Sequence, residues 1–361
     1  MTNDVSPRVL NLAWLPGDGI GREVTEAALA AMRAVAEPAG VALAVAEYPI
    51  GGAAFDATGD PFPAVTRDGV LAADAVLLGA VGGPAWDTLP PERRPERGLL
   101  RLRAALGGFA NLRPVAVPDA LVERSPLRPE IVRGTDMLIV RELLGGVYFG
   151  EPSFVTGDAP EREGVSTMRY QEVEIRRVAE VAFQWAERRR GRVTSIDKAN
   201  VLAVSRLWRD VVSEVQRTRY PHVDLEHRYV DSAAMDLVLR PTDFDVVLTG
   251  NLFGDILSDL AATLPGSLGV LPSASVGGGG PGLFEPIHGS APSIAGKGIA
   301  NPMGTILSGA LLFDDVGLPE LAAALRRGVG AALGQGIVPA DLGGTATTDA
   351  VARAVIDHAT A

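Results

Sequence analysis

Residues 9–48 constrain the fold more than any other stretch of this chain. Residues 9–15 read as a buried strand that stops at Pro16-Gly17, and residues 23–36 as a helix with Val24, Ala27, Ala28, Ala31 and Val35 along its apolar side. Residues 41–48 read as a second strand, and residues 74–78 as a third that runs into the glycine loop around Gly82-Gly83. Strand, helix, strand, glycine loop is α/β grammar, because a helix must carry the backbone back before the next parallel strand can pair.

The alternation resumes further on. Residues 136–141, 193–196, 225–229 and 245–249 read as strands, and residues 171–190, 202–217 and 232–239 as helices. The first of these helices is the clearest, with Val178, Val181, Ala182 and Trp185 on one stripe and charges elsewhere. Residues 86–98 read as a proline- and charge-rich loop before a helix over 99–106. Residues 145–149 read as a turn into a β segment, with 165–170 as its pairing partner. Residues 265–282 are rich in glycine and serine and nearly free of charge, which fits a flexible linker or backbone that approaches a ligand closely. The low charge and the FEPIHGSAP that follows favour the second.

A length of 361 residues is too great for one small core, so two domains are expected. The net charge is −11 with no lysine- or arginine-dense tail, which argues against nucleic acid or an anionic membrane as a partner. There is no cysteine, so disulfides and thiolate metal sites are excluded. The N-terminal residues do not form a signal peptide, and no apolar run approaches membrane-spanning length, so a cytoplasmic enzyme is expected. His222, His227, His288 and His358 show no HExxH spacing, which makes a zinc hydrolase a poor fit.

Chemistry concentrates in TGNLFGDILSD, residues 249–259. Asp255 and Asp259 lie four apart on a helix, which stacks both carboxylates on one face. Two stacked anions need a counter-charge, and a divalent cation supplies one, although acidic pairs at this spacing also occur on solvated faces. Gly250 and Asn251 ahead of the pair suggest a turn that delivers a ligand to the helix start. GDGIG at residues 17–21 follows a strand and opens a helix. It fails the dinucleotide fingerprint, however, because the third glycine would fall at Arg22. Arg101, Arg103, Arg113 and Arg141 are fork-shaped cations suited to carboxylates, or else surface arginines. Lys198 follows a buried strand, where a partly desolvated lysine near other cations can act as a base. Tyr148 is a proton donor or a packing residue, and His288 sits in a polar glycine loop where it can meet adenine or phosphate.

Together these segments resemble the metal-dependent β-decarboxylating dehydrogenases, the isocitrate/isopropylmalate dehydrogenase family, and within it the isopropylmalate branch. LPGDGIGREV, LLGAVGGPAWD, FANLRP, RELLGGVYFGEP, DKANVL, YVDSAAMDL, TGNLFGDILSDL and FEPIHGSAPSIAGKGIANP occur in family order from residue 15 to DLGG at 341. The resemblance implies a two-domain α/β fold that is not a standard Rossmann fold. Residues 1–108 with 265–361 would form an outer cofactor domain, and residues 109–264 a central domain with substrate and dimer contacts. It implies that Arg103, Arg113 and Arg141 clamp malate carboxylates, with Glu96, Leu99, Leu100 and Val201 around the remaining substituent. Asp255 and Asp259 would hold Mg²⁺ or Mn²⁺, with Asp231 and Lys198 reaching across a homodimer and Tyr148 as proton donor. Ile20, Asn200, Glu285, His288, Gly289, Ser290, Ala291, Ser293, Ile294 and Asn301 would hold NAD.

Leu99 and Leu100 suit an isopropyl group and would strand a third carboxylate. The implied reaction is therefore oxidative decarboxylation of an alkylmalate, isopropylmalate first. Other alkylmalates, malate, tartrate and homoisocitrate are the alternatives, as is a non-catalytic regulatory subunit. Ser293 stands where NAD-preferring relatives carry an aspartate, so NAD is expected to remain preferred with weaker discrimination against NADP.

Overall fold

The computed structural model describes residues 8–361. The described residues divide into two compact units, 8–108 with 265–361 and 109–264. The first unit opens with β1 (Arg8–Gly17), α1 (Gly21–Ala36), β2 (Val41–Glu47), α2 (Gly51–Thr58), α3 (Ala64–Ala72), β3 (Ala75–Ala80) and α4 (Pro95–Leu106). The second unit runs β4 (Ala110–Ala116), α5 (Asp119–Val122), α6 (Pro129–Val132), β5 (Asp136–Glu142), β6 (Ser153–Thr156), β7 (Glu163–Ser166), α7 (Glu172–Glu187), β8 (Arg192–Asp197), α8 (Ala203–Arg219), β9 (Asp224–Tyr229), α9 (Val230–Leu239), β10 (Val246–Thr249) and α10 (Asn251–Ala261). The chain then returns to the first unit with β11 (Pro272–Val276), β12 (Gly282–Pro286), α11 (Met303–Asp315), α12 (Pro319–Gly334) and α13 (Thr348–Ala359).

In the first unit the strands lie in the order β2-β1-β3-β12-β11. The first four pair parallel, and β11 pairs antiparallel with β12. Burial follows from this arrangement. Every residue of β3 is buried, as a parallel strand covered on both faces must be. Ala13, Leu15, Val76, Leu78 and Leu283 meet Ile50, Phe62, Val70, Leu102 and Leu106 in one core, while α1, α11, α12 and α13 pack together. The turn after β1 is held by Asp18, whose carboxylate accepts from the N–H groups of Gly52 (2.9 Å), Ala53 (2.8 Å) and Gly82 (2.8 Å). Gly19 has φ 58°, and a Cβ there would overlap the Ser290 carbonyl. The GDGIG turn is therefore built for close packing of backbone on the loop after β12.

In the second unit the order is β4-β5-β10-β8-β9, with β4 antiparallel to β5 and the remaining pairs parallel. Helix α7 packs on β5, β8 and β10. Gln171 and Glu174 form a reciprocal capping box at its start, satisfying two otherwise orphaned N–H groups.

Three local expectations change. The helix predicted from residue 99 begins at Pro95, which occupies the first turn, where the missing N–H costs nothing. Tyr148 lies in a 3₁₀ turn (Gly146–Tyr148), and the short hairpin that follows is β6 with β7. The glycine-rich stretch contains strand β11, whose Pro272, Ser273, Ala274 and Ser275 are all buried.

Candidate active site

The parallel strands β5, β10 and β8 end together. Arg141 on β5 lies beside Thr249 on β10, and Thr249 lies beside Ile196 on β8. Carboxyl ends of parallel strands are where open α/β sheets collect ligand groups. Here they present Arg141, the entry to α10, and Lys198 just past Asp197.

Helix α10 carries Asn251, Asp255 and Asp259 at four-residue steps along one face. Arg141 is 2% exposed. Its guanidinium donates to Asn251 Oδ1 from Nε (3.1 Å) and Nη2 (2.8 Å), and from Nη1 to Asp255. The stem of Arg141 lies on Gly254, where a Cβ would sit 2.6 Å from its Cγ. Arg113 on β4 is also buried. It donates to Asn111 Oδ1 (2.7 Å) and Ser258 Oγ (2.7 Å), and it lies 3.4 Å from Asp259 and 3.9 Å from Asp255.

The two acids are therefore not equivalent. Burial pushes the Asp255 carboxyl up, but Arg141, the Tyr148 hydroxyl and Arg113 outweigh it and hold the group below its ordinary value. At Asp259, partial burial together with the charge of Asp255 outweighs Arg113, and its carboxyl is raised. Tyr148 donates to Asp255 Oδ2 at 2.7 Å. Burial and the neighbouring carboxylate push its hydroxyl up to about 12, so it stays protonated at neutral pH.

Lys198 and Asp231 form a second cluster, with Nζ 2.6 Å from Oδ1. The structure sets a carboxylate beside this lysine, where the sequence reading placed cations. Lys198 holds the exposed Asp231 carboxyl below its ordinary value. Asn200 and Val201 follow in an exposed turn. Among the described residues, no three His, Cys, Asp or Glu side chains gather as they would around a metal ion.

The first unit holds the remaining candidates. Arg103 on α4 pairs with Glu285 on β12 at 2.8 Å, both nearly buried, and the Arg103 Nε has no partner among the described residues. Arg101 is spent on Asp60 and the Phe62 carbonyl. Leu99 is half-buried against the core, Leu100 is half-buried, and Glu96 is exposed. Ile20 packs with Val24 and Ala300, with Ala291 and Ile294 against them, and its N–H donates to the Ser290 carbonyl at 2.8 Å. Burial lowers the pKa of His288 from its ordinary value, and its Nε2 has no partner among the described residues. Gly289 and Ser293 are exposed in the same loop. Asn301 donates to Asp341 (3.0 Å) and accepts from the Met303 N–H (3.1 Å).

Sequence reasoning missed Asn251 as the partner of Arg141, Gly254 as its bed, and Ser258 as a ligand of Arg113. The NLFGD motif signalled a turn with a ligand, but not which residue would receive it.

Comparison with known proteins agrees with this architecture. The model of the isocitrate/isopropylmalate dehydrogenase family matches residues 11–356. A protein of Salinibacter ruber named 3-isopropylmalate dehydrogenase is 58% identical over 98% of this chain and 96% of its own length. The crystal structure of an isocitrate dehydrogenase from Methylococcus capsulatus superposes with a TM-score of 0.86 at 32% identity, covering 98% of this chain and 100% of that one. That of a β-decarboxylating dehydrogenase from Thermococcus kodakarensis does so with a TM-score of 0.79 at 36% identity, covering 97% and 96%. With its α/β fold, its arginine and aspartate cluster and these full-length matches, the chain belongs to the isocitrate/isopropylmalate dehydrogenase family.

Proposed function

We propose that the chain catalyses the NAD-dependent oxidative decarboxylation of 3-isopropylmalate to 4-methyl-2-oxopentanoate and CO₂, a step of leucine biosynthesis, as a cytoplasmic homodimer. One observation carries the reading. Arg113, Arg141 and Tyr148 converge on Asp255 and Asp259. Cations for carboxylates, an acid for a carbon centre and hard oxygens for a divalent cation thus share one place. The 58% identity to a protein named for this substrate supports the choice. The half-buried Leu99-Leu100 pair supports an apolar substituent, since a third carboxylate or a hydroxyl would lack a partner there. The presence of Lys198, Tyr148, Asp231, Asp255 and Asp259 argues against a non-catalytic subunit.

Asp255 and Asp259 suit Mg²⁺ or Mn²⁺, being carboxylate donors one helical turn apart, the first kept ionised by its neighbours. We assign the third acid, Asp231, and with it Lys198, to the site of a second copy. The Nε of Arg103 and the Nε2 of His288, both without a partner among the described residues, suit a carboxylate of the substrate and the cofactor, respectively. Ile20, Asn200, Glu285, Gly289, Ser290, Ala291, Ser293, Ile294 and Asn301 complete the cofactor set. When bound, the cation would supply Lewis-acid polarisation at C2, and NAD⁺ would accept the hydride.

Arg103, Arg113 and Arg141 bind the malate carboxylates and orient C2. Lys198, in concert with Asp231, takes the proton of the C2 hydroxyl as hydride leaves C2. The carboxylate β to the new ketone departs as CO₂, leaving its bonding electrons on the enolate. Tyr148 then protonates C3. Closure of the protein around substrate would exclude water from these steps.

NADH formation with a panel of 2-hydroxy diacids, with and without EDTA, tests this reading. The highest kcat/KM is expected for 3-isopropylmalate, with loss of turnover in EDTA. With NADPH formation as a second readout, NAD⁺ should be preferred, by less than in relatives with an aspartate at the position of Ser293. Equal turnover of malate or tartrate, or indifference to EDTA, would reject it.

A further inference from the structure

We propose that Asn251 is the positioning residue that keeps Arg141 and the Tyr148 turn in register with the acids of α10. The inference rests on the reaction proposed above, in which Arg141 binds a substrate carboxylate and Tyr148 supplies a proton. A side-chain amide offers four hydrogen-bonding places, two on oxygen and two on nitrogen. Asn251 is 1% exposed and fills all four. Its Oδ1 accepts from Nε (3.1 Å) and Nη2 (2.8 Å) of Arg141. Its Nδ2 donates to the carbonyls of Leu143 and Gly145, both at 3.0 Å. Its backbone N–H, an orphan donor in the first turn of a helix, donates to the Tyr170 hydroxyl at 2.7 Å.

The consequences are geometric. With one edge of the Arg141 fork saturated by Asn251, Nη1 is directed at Asp255. The Leu143 and Gly145 carbonyls belong to the segment that enters the 3₁₀ turn carrying Tyr148. One amide thus ties two groups of the site, the cation and the proton donor, to the helix that carries Asp255. Its oxygen is committed to Arg141, so it serves the site through that arginine.

The chemistry selects asparagine. Aspartate would keep both acceptors toward Arg141 and strengthen them with charge. Its other oxygen would face two carbonyls that cannot donate, releasing the Tyr148 turn. Serine is too short to serve either partner. The two functions are therefore separable by substitution.

The test measures turnover of 3-isopropylmalate with NAD⁺ and Mn²⁺ for the wild type, Asn251→Asp and Asn251→Ser. Thermal unfolding is recorded for each, and a crystal structure is determined for Asn251→Ser. Asn251→Asp is expected to hold KM within about threefold while kcat falls about 100-fold, the scale of an ångström's misplacement. Asn251→Ser is expected to raise KM by about tenfold or more as well, with the Arg141 guanidinium displaced from Asp255. A purely structural role would lower the melting temperature and leave both kcat of the folded Asn251→Asp enzyme and KM of the folded Asn251→Ser enzyme unchanged. That outcome, or an unmoved Arg141, overturns the proposal. A wild type inactive on 3-isopropylmalate defeats the proposed reaction instead, and the position of Arg141 in the Asn251→Ser crystal then decides for or against Asn251. Should neither variant fold, Tyr170→Phe removes the acceptor that fixes the Asn251 N–H at the start of α10, so that the amide loses its register with Arg141. A several-fold rise in KM supports the proposal, and an unchanged KM overturns it.

Discussion

Tyr148 combines a firmly held proton with an exposed ring. Its hydroxyl is protonated at any pH near neutrality, pushed up to about 12 by partial burial and by Asp255, yet the residue is 40% exposed and open to a ligand. A proton donor that cannot lose its proton to solvent at neutral pH is suited to protonating an enolate carbon formed late in a reaction. Tyr148→Phe removes the donor and one of the groups that keep Asp255 ionised, while both arginines remain on Asp255. kcat should fall roughly 10²- to 10⁴-fold, the range of general acid catalysis, with KM for the hydroxy acid little changed. Steady-state NADH formation measures this. Single-turnover kinetics should show hydride transfer less affected than decarboxylation and protonation. If turnover survives intact, the ring is packing and its hydroxyl merely a ligand of Asp255.

Helix α10 works as an element because its residues repeat at the helical period, and a substitution can separate its stability from its role. Gly254→Ala improves helix propensity by about 1 kcal/mol. The new Cβ, however, would meet Arg141 Cγ at 2.6 Å and Cβ at 2.8 Å. Overpacking in a closed site costs about 1–3 kcal/mol and is expected to win. Thermal unfolding should show a lowered Tm, and KM for the hydroxy acid should rise as Arg141 shifts. A raised Tm with unchanged KM would show that the arginine stem yields freely. A second pair of elements, α8 and β9, encloses His227, whose Nε2 meets Ser213 at 2.9 Å while Nδ1 is buried without a partner among the described residues. Burial, and then Arg209, lower its pKa below the ordinary imidazole value of about 6.5. Below that value the unfolded chain takes up a proton that the folded one refuses, so this residue's contribution to stability is lost as pH falls toward its folded pKa. His227→Gln should therefore make Tm less sensitive to acid between neutrality and that lower pKa, and an unchanged Tm–pH slope would count against it. The stacking of Asp255 and Asp259 was legible in the sequence because a period of 3.6 residues fixes it locally. So were most strands and long helices, whose apolar patterns are local too. The Asn251–Arg141 bond was not, because its partners are 110 positions apart and only the packing of α10 on β5 joins them. Strand β11 was hidden because its small residues, Ser273, Ala274 and Ser275, pack without the bulky alternation that betrays a strand.

At the scale of the whole molecule the question is whether one chain holds a complete site. The described residues gather no three metal-ligating acids in one place. Asp255 and Asp259 face Arg113 and Arg141, and Asp231 faces Lys198. All of these sit in the same unit, but in two clusters, each lacking what the other has. A twofold dimer resolves such a division without new residues, because an isologous contact that brings cluster one of the first copy to cluster two of the second does the reverse as well. The exposed apolar side chains Met235 and Leu239 on α9 and Ile256 on α10 lie on the helices that carry Asp231 and Asp255, which is where such a contact would bury area. The arrangement makes a quantitative prediction. Asp231→Ala and Asp255→Ala should each abolish turnover as pure dimers. When the two are unfolded, mixed in equal amounts and refolded, half of the dimers are mixed, and each mixed dimer holds one site with both acids intact and one with neither, so about a quarter of wild-type activity should return. The recovered activity should retain the wild-type KM, since the restored sites are native throughout. If each chain instead builds its own site, every site in the mixture lacks one acid, and the mixture stays as inactive as its parents.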